Sequence, residues 1–391
     1  MKTMLYTGAF RFPEGDAAAF RVQGVARLFV SFGFDVSFAG WERRQGEEHY
    51  IYQGYNCYPQ AEFREEQKSK IGRFAGFLFR GFKTLRWMKL RRFDVVVVYN
   101  PPVLFALRLL VLSWCSKFTL VLDSTEWYEA DHLPGGKFGV AALENWVRMN
   151  VIYPRFRNVI CISRFLERYY SPKNVIRIPP LVSVLGKPLF VAKNIGSELN
   201  FIYAGEAGKK DQILDFIRVL PALSDQLDLK VVFTILGQEW DALVQLLEDR
   251  GIAADAYAPF VRCLGRVSRD TVGEEYKSAH FSILFREDRR YAHAGFPTKA
   301  MESWSYGCPI ICNRVGDLGN LADDHGNALV INPLSIEAEL LEKLRYVIEA
   351  DSWSRMSENS LRRSEDTFQY ALYQSAFEVF LQAAGNCRKR R

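Results

Sequence analysis

The densest chemistry in this 391-residue chain lies in FREDRRYAHAGFPTKAMESWSYGCPIIC, from Phe285 to Cys312. Gly295-Phe296-Pro297 precedes a predicted helix over 298–306, and proline suits a helix start because its missing N–H is no loss there. Gly307 and Pro309 stop that helix and open an apolar strand over 309–313. A helix with a glycine at its mouth offers unpaired N–H groups and a positive dipole end, which is an anion site. Lys299, in the first turn, opposes the dipole and is unfavourable there unless an anion sits close by. Glu302, three residues on, shares nearly the same face, and its carboxylate can accept hydrogen bonds from sugar hydroxyls. Phosphate on the amides and a diol on the carboxylate together describe a nucleotide. A capped helix with a solvated Lys and Glu has the same pattern.

A second glycine turn follows the apolar run Phe201–Ala204: Gly205-Glu206-Ala207-Gly208, then Lys209-Lys210-Asp211. Glycines let backbone approach a ligand, and lysines meet phosphate as point charges. Asp211 suits a helix N-cap. The spacing is not that of a P-loop.

These segments need a scaffold, and the hydropathy pattern supplies one. Apolar runs at Met4–Thr7, Val36–Ala39, Val95–Tyr99, Thr119–Leu122, Val159–Ile162 and Val175–Ile178 read as strands buried on both faces. Helical stretches such as 17–32 and 140–151 separate them, the alternation of a doubly wound α/β domain. A proline-bearing stretch at 181–199 reads as a linker. A second series follows, with strands at 201–204, 231–236, 261–264, 281–285 and 309–313. Helices are predicted at 211–220, 240–249, 269–277 and 298–306. The expected domains are 1–180 and 200–365, with 366–391 forming a helix that returns to the first domain through 366–383, which carry Phe368, Tyr370, Leu372, Tyr373, Phe377 and Phe380, ahead of a basic tail. Two such domains leave a cleft between the carboxyl ends of their sheets, where α/β proteins bind ligands.

Taken together, these blocks resemble glycosyltransferase family 4, the retaining nucleotide-sugar transferases of GT-B fold, and in particular its bacterial polysaccharide-assembly type. The resemblance covers nearly the whole chain. It rests on Pro13-x-Gly15 with Ala17–Arg21, Val95–Pro102, Asp123–Trp127, Cys161-Ile162-Ser163, Gly205-x4-Lys210-Asp211, Gly265-Arg266-Val267 and, most specifically, GFPTK-x2-E-x4-G-x-P at Gly295–Pro309. The resemblance implies that Glu302 holds the nucleotide ribose and that Lys210 binds phosphate, with Gly205 in the adjoining turn. The backbone of Gly295, Phe296, Pro297 and Thr298 then faces the diphosphate and donor sugar. Arg266 and Val267 meet the base, and Gly15 closes over the donor phosphates. It further implies a metal-free, cofactor-free reaction in which Lys210, Lys299, Arg286 and helix amides stabilise the leaving diphosphate.

The chain departs from the family pattern twice. The first glutamate of the Glu-x7-Glu pair is Ala294, and the arginine that commonly follows the phosphate-binding glycine is Glu206. Arg286 or Lys299 could replace that lost charge. A front-face retaining reaction needs no protein base, whereas an inverting one would, and Glu126, Asp131 or His132 could serve. Glu126, Trp127 and His132 otherwise shape an acceptor pocket.

Composition bounds the alternatives. Half the residues are hydrophobic (49%), 25% are charged, and the seven cysteines form no C-x-x-C pair, which together describe a globular protein of a reducing compartment. No signal peptide or membrane-spanning run is read, so the expected location is the cytoplasm. Net charge is +6, but residues 1–180 hold 26 Lys+Arg against 16 Asp+Glu, so the amino-terminal half carries the basic field. Residues 68–92 interleave nine cations with aromatic and aliphatic residues and contain no acid. This segment could lie on an anionic membrane at the inner face of the plasma membrane. A lipid-linked glycan acceptor fits that surface and the resemblance. A dehydrogenase is excluded by the absence of G-x-G-x-x-G after the first strand. No nucleic-acid-binding module appears, so nucleic acid is not an expected partner. The competing reading is a catalytically silent GT-B scaffold in a membrane assembly complex.

Overall fold

The structure is a computed structural model that describes residues 2–13, 16–42, 48–62, 79–116, 118–182, 195–206 and 211–389. Gly15, Lys210, residues 68–78, Arg390, Arg391 and most of the expected linker lie outside the described residues. The chain forms two compact units. One comprises Met1–Ser183, His293–Phe296 and Gln369–Arg391; the other comprises Val184–Ala292 and Pro297–Phe368.

The first unit contains, among the described residues, strands β1 (Lys2–Gly8), β2 (Phe34–Gly40), β3 (Tyr50–Tyr52), β4 (Tyr55–Cys57), β5 (Val95–Tyr99), β6 (Thr119–Ser124), β7 (Asn158–Cys161) and β8 (Asn174–Arg177). They form one sheet in the order β3-β4-β2-β1-β5-β6-β7-β8, parallel throughout except for β3 against β4. Helices α1 (Ala17–Ser31), α2 (Phe82–Lys89), α3 (Val103–Cys115), α4 (Val140–Val147) and α5 (Arg164–Tyr170) connect the strands. The β3–β4 hairpin is not anticipated from sequence. Its turn residues Gln53 and Gly54 both adopt positive φ (48° and 83°), and glutamine is a poor signal for such a turn. Helix α1 starts where expected because the Asp16 carboxylate accepts from the Ala19 amide at 2.9 Å. The predicted helix 140–151 ends earlier, at Val147, and gives way to a wider turn over Arg148–Ile152.

Side chains alternate across the sheet. Met4, Tyr6, Val95, Val97, Val121 and Ile160 join Val22, Val25 and Phe29 of α1 in one core. Given the strand order, the right-handed rule for parallel crossovers places α1 on that face and α2, α3 and α4 on the other. Within the first core side, Arg21 and Asp123 form a fully buried ion pair. Arg21 Nη2 donates to Asp123 Oδ1 at 2.9 Å and Tyr6 Oη donates to Oδ2 at 2.5 Å. Arg21 Nε also donates to Asp123 Oδ2 at 3.3 Å, and Nη1 donates to the Ile178 and Pro179 carbonyls. This pair ties β1, α1, β6 and the end of the strand series together.

The second unit holds β9 (Glu198–Ala204), β10 (Lys230–Leu236), β11 (Val261–Cys263), β12 (Phe281–Leu284), β13 (Ile310–Cys312) and β14 (Ala328–Val330), all parallel, in the order β11-β10-β9-β12-β13-β14. The helices along this stretch are α6 (Ile213–Ile217), α7 (Leu220–Leu227), α8 (Trp240–Glu248), α9 (Arg269–Ser278), α10 (Arg290–Ala294), α11 (Thr298–Ser305), α12 (Leu318–Leu321), α13 (Ile336–Glu349) and α14 (Trp353–Phe368). The single helix predicted at 211–220 is instead α6 and α7, with Pro221 opening the second.

Helix α11 is firmly held. Cys308 N donates to Ser303 O and Gly307 N to Trp304 O, the double bond of a Schellman stop, with Gly307 at φ 70°. Trp304 Nε1 donates to Asn327 O at 3.0 Å and its ring stacks on Phe368. Phe368 therefore closes the second unit. The returning helix is α15 (Gln374–Lys389), whose Phe377 and Phe380 are buried in the first unit, Phe377 edge-on to Phe29 at 4.8 Å. No helix among the described residues is long and apolar enough to cross a membrane.

Replacing Asp123 by Asn keeps the side-chain shape and leaves Arg21 buried without a counter-ion. Urea unfolding of Asp123→Asn is expected to show a loss of about 3–5 kcal/mol. An unchanged midpoint would mean that the backbone carbonyls alone hold Arg21.

Candidate functional site

The carboxyl ends of β9, β12 and β13 and the start of α11 meet in the second unit around one carboxylate. Asp211, almost fully buried, accepts from Arg286 Nε (2.9 Å), Lys299 Nζ (2.9 Å) and Tyr203 Oη (2.8 Å). Asp211 is thus not the helix cap its sequence position suggests; α6 begins after Gln212 with no side-chain cap. Its backbone bridges that of Arg286, and Asn313 fixes Arg286 from the far side by donating to its carbonyl and accepting from its amide. Burial alone would raise the Asp211 pKa. The charges of Lys299 and Arg286, and hydrogen bonds from Lys299 and Tyr203, outweigh burial and hold the carboxyl well below the usual range. Burial and then the Asp211 charge push the Tyr203 hydroxyl far up, so it remains a donor.

Two cations on one anion leave the cluster with a net charge of +1. The Arg286 guanidinium uses only Nε on Asp211, and its terminal nitrogens have no partner among the described residues. The Lys299 ammonium lies 4.9 Å from the centre of the Tyr203 ring, a cation–π contact. Gly205, at φ 154°, makes this packing feasible, since a Cβ there would lie 2.6 Å from Lys299 Cε. Lys299 sits in the first turn of α11, which begins at Thr298 after Pro297 and has no side-chain cap. Pro297 is buried and Thr298 half-buried.

Glu302 lies one turn further along α11. Burial raises its pKa, opposed by the charges of Lys299 and Arg269. No hydrogen bond or ion pair occupies its carboxylate among the described residues. Beside it stands a residue that sequence reasoning passes over. The Tyr276 hydroxyl on α9 is buried without a hydrogen-bond partner among the described residues, and its ring stacks on Tyr306 at 5.8 Å. Burial and then the Glu302 charge raise the Tyr276 pKa. Nothing in the spacing of Tyr276 marks it, because an inward tyrosine on an amphipathic helix reads as core. Tyr203 is missed because an inward tyrosine on a buried strand also reads as core, and Asn313 because a polar residue just past a strand reads as loop.

The loop after β11 contains the other expected donor contacts. Gly265 (φ 58°) carries no side chain because Glu239 Oε1 would lie 1.9 Å from its Cβ. Arg266 is exposed, and Val267 packs on a small core with Ile202, Leu236, Tyr276 and Cys308. Ala294, Gly295 and Phe296 fall within the first unit. Ala294 is fully buried and its carbonyl accepts from Ser163 Oγ at 2.8 Å. Also in the first unit, Glu126 and His132 are half-buried, whereas Trp127 is buried against Tyr169 and Phe165. Two carboxylates elsewhere in the second unit are held by cations: Asp324 by Lys343, and Glu287 by Arg289.

Residues 198–350 match the family model described as glycosyl transferases group 1. This stretch is a glycosyltransferase domain. The chain is accordingly a transferase enzyme, and the match spans less than half of its length. No curated protein matches the chain by sequence. Solved structures that resemble it include sucrose-phosphate synthase from Thermosynechococcus elongatus (TM-score 0.71, 13% identity, 98% of this chain and 100% of that one). They also include WaaG, a glycosyltransferase involved in lipopolysaccharide biosynthesis (0.67, 12%, 97% and 99%), and HepE from Anabaena in complex with UDP-glucose (0.66, 12%, 98% and 100%). At these identities the likeness concerns fold, and the fold of this glycosyltransferase is GT-B.

The Asp211 cluster has a pH signature. A depressed carboxyl stabilises the folded state fully above its unfolded pKa of about 3.9 and loses that contribution as pH falls toward the lower folded value. Asp211→Asn is therefore expected to flatten the fall in thermal stability below about pH 4. An acid limb of unchanged slope would mean that the cluster does not stabilise the fold.

Proposed function

We propose that this glycosyltransferase moves a sugar from a nucleoside-diphosphate sugar to a hydroxyl of a lipid-linked glycan, retaining anomeric configuration and without a metal, in the assembly of a bacterial surface polysaccharide. The observation that carries the donor half is the pairing of Lys299 and Arg286 on Asp211 beside the uncapped start of α11, with the open Glu302 carboxylate one turn away. Phosphate oxygens take the free donors of Lys299 and Arg286 and the first-turn amides of Thr298 and Lys299. Glu302 accepts from the ribose hydroxyls. HepE, of like fold, binds UDP-glucose, which supports a donor of this class.

Breaking the bond between the anomeric carbon and the diphosphate leaves negative charge on the phosphate oxygen. Lys299 and Arg286 stabilise that charge without moving, because Asp211 already fixes them. The acceptor hydroxyl attacks from the face the diphosphate leaves and passes its proton to the departing oxygen, so no side chain is needed as base. Lys210 and Gly15 add phosphate contacts in this reading, Gly205 leaves room for Lys299, and Arg266 and Val267 border the base. Gly295 and Phe296 line the sugar, and Glu126 and His132 remain the acceptor-side residues, with Trp127 supporting them. The chain works at the inner face of the plasma membrane, in the cytoplasm.

A second reading has its own support. Ala294 stands where the family's donor-sugar glutamate is expected and is sealed in packing. A nucleotide-binding scaffold without turnover would look the same at Asp211, Lys299 and Glu302.

A panel of nucleoside diphosphates monitored by thermal unfolding separates these readings. One base is expected to stabilise the chain, by about 2.7 kcal/mol at a hundred times its Kd. Glu302→Ala removes hydrogen bonds to a charged group, about 1.5–3 kcal/mol, and is expected to weaken that binding some 10- to 100-fold with the fold intact. Silence across the panel overturns the donor assignment, while binding without transfer favours the scaffold. Turnover in EDTA should equal turnover without it, and its loss would end the metal-free mechanism.

A further inference from the structure

We propose that the outward surface of α2, α3 and α4 docks this enzyme on an anionic phospholipid bilayer. Ten of the seventeen large apolar side chains exposed by the described residues fall between Phe79 and Trp146. Helix α3 is VLFALRLLVLSWC, apolar nearly all round with one charge. Its Phe105, Leu109 and Leu110 are buried, yet Leu107, Val111 and Trp114 form an exposed stripe at i, i+4 and i+7, with Trp114 70% exposed. Helix α4 repeats this with Val140, Leu143 and Trp146, the last two 62% and 58% exposed. A helix apolar on both sides needs a second apolar partner.

The three helices are neighbours on one face of the sheet. Arg108 of α3 lies over the Phe79 and Phe82 rings at the start of α2, at 5.8 and 5.6 Å. Glu144 of α4 accepts from the Val103 amide that opens α3, at 2.9 Å. Buried Glu62 pins α2 by accepting from the Gly81 and Thr84 amides, while Leu85 and Met88 pack inward. Lys83, Arg86 and Lys89 consequently stand on the exposed side.

Charge decides the occupant. Residues 79–92 carry six cations and no acid, and the only carboxylate on the three helices is Glu144, which is engaged by α3. Protein interfaces deplete lysine, whereas a bilayer with anionic headgroups takes a basic row beside tryptophan-bearing apolar stripes. The sequence points to 68–92 for such contact. Of that segment the described residues 79–92 supply a basic row with Phe79, Phe82 and Leu90 exposed beside it, and α3 and α4 add the apolar stripes.

This deepens the lipid-linked acceptor reading and rests on it for its purpose, but the test needs no turnover. The full chain is sedimented with phosphatidylcholine vesicles, with and without phosphatidylglycerol. Partition is expected to favour the anionic vesicles about ten-fold or more at low salt and to fall as salt is raised. Val111→Glu with Leu143→Glu should abolish partition while thermal unfolding is unchanged. Lys83→Glu with Arg86→Glu and Lys89→Glu should remove the preference for phosphatidylglycerol. Failure to partition overturns the proposal, as does undiminished partition of the folded apolar variant. Self-association lost in Val111→Glu with Leu143→Glu, without vesicle binding, would instead make the face a protein interface and equally overturn it. Donor binding can fail without changing any of these outcomes.

Discussion

One buried carboxylate organises the second unit's candidate site. Asp211 accepts three hydrogen bonds, two of them from cations brought by different elements. A buried carboxylate is costly unless it is paired and hydrogen-bonded, and Asp211 is both. The same arrangement keeps Lys299 at the start of a helix whose dipole would otherwise repel it. Strand β9, β12 and helix α11 thereby share a joint whose excess positive charge lies at the carboxyl edge of the sheet, where α/β folds take their ligands. Preorganisation follows: the cations that would meet a leaving diphosphate are fixed before it arrives.

Much of this was legible in the residues. Val95–Tyr99 is apolar at consecutive positions and rich in β-branched valine, which reads as a strand covered on both faces, and it is β5. Gly307 followed by Pro309 marks a helix stop, and Cys308 and Gly307 make the bonds that such a stop requires. Lys299 in a first turn signals an anion from its conflict with the dipole. Asp211 misleads because a residue that can cap a helix and one that can hold two cations look alike in sequence. Only the fold brings Arg286 and Lys299, 75 and 88 residues away, to it. Tyr203 and Tyr276 are hidden in the same way, since inward tyrosines satisfy a hydrophobic pattern whether or not the hydroxyl has a task. The β3–β4 hairpin escapes because Gln53 lacks the turn chemistry its conformation normally selects.

The first unit answers different constraints. Its sheet is tied internally by Arg21 and Asp123, both completely enclosed, and by α15 returning to cover Phe29. Its other face is less economical: α3 and α4 remain apolar on the side turned away from the sheet. Those side chains stand outside the core, which is the ground for the docking surface proposed above, and the basic row of α2 lies beside them. In the function proposed above, binding a soluble donor and meeting a lipid-borne acceptor fall to separate surfaces, each with its own charge balance.

The most direct measurement is a crystal structure of the chain with a nucleoside diphosphate bound. The account requires phosphate oxygens within hydrogen-bond distance of Lys299 and Arg286 while both remain on Asp211, and the ribose hydroxyls on Glu302. A nucleotide lodged elsewhere, or one that binds only by pulling those cations from Asp211, would contradict it.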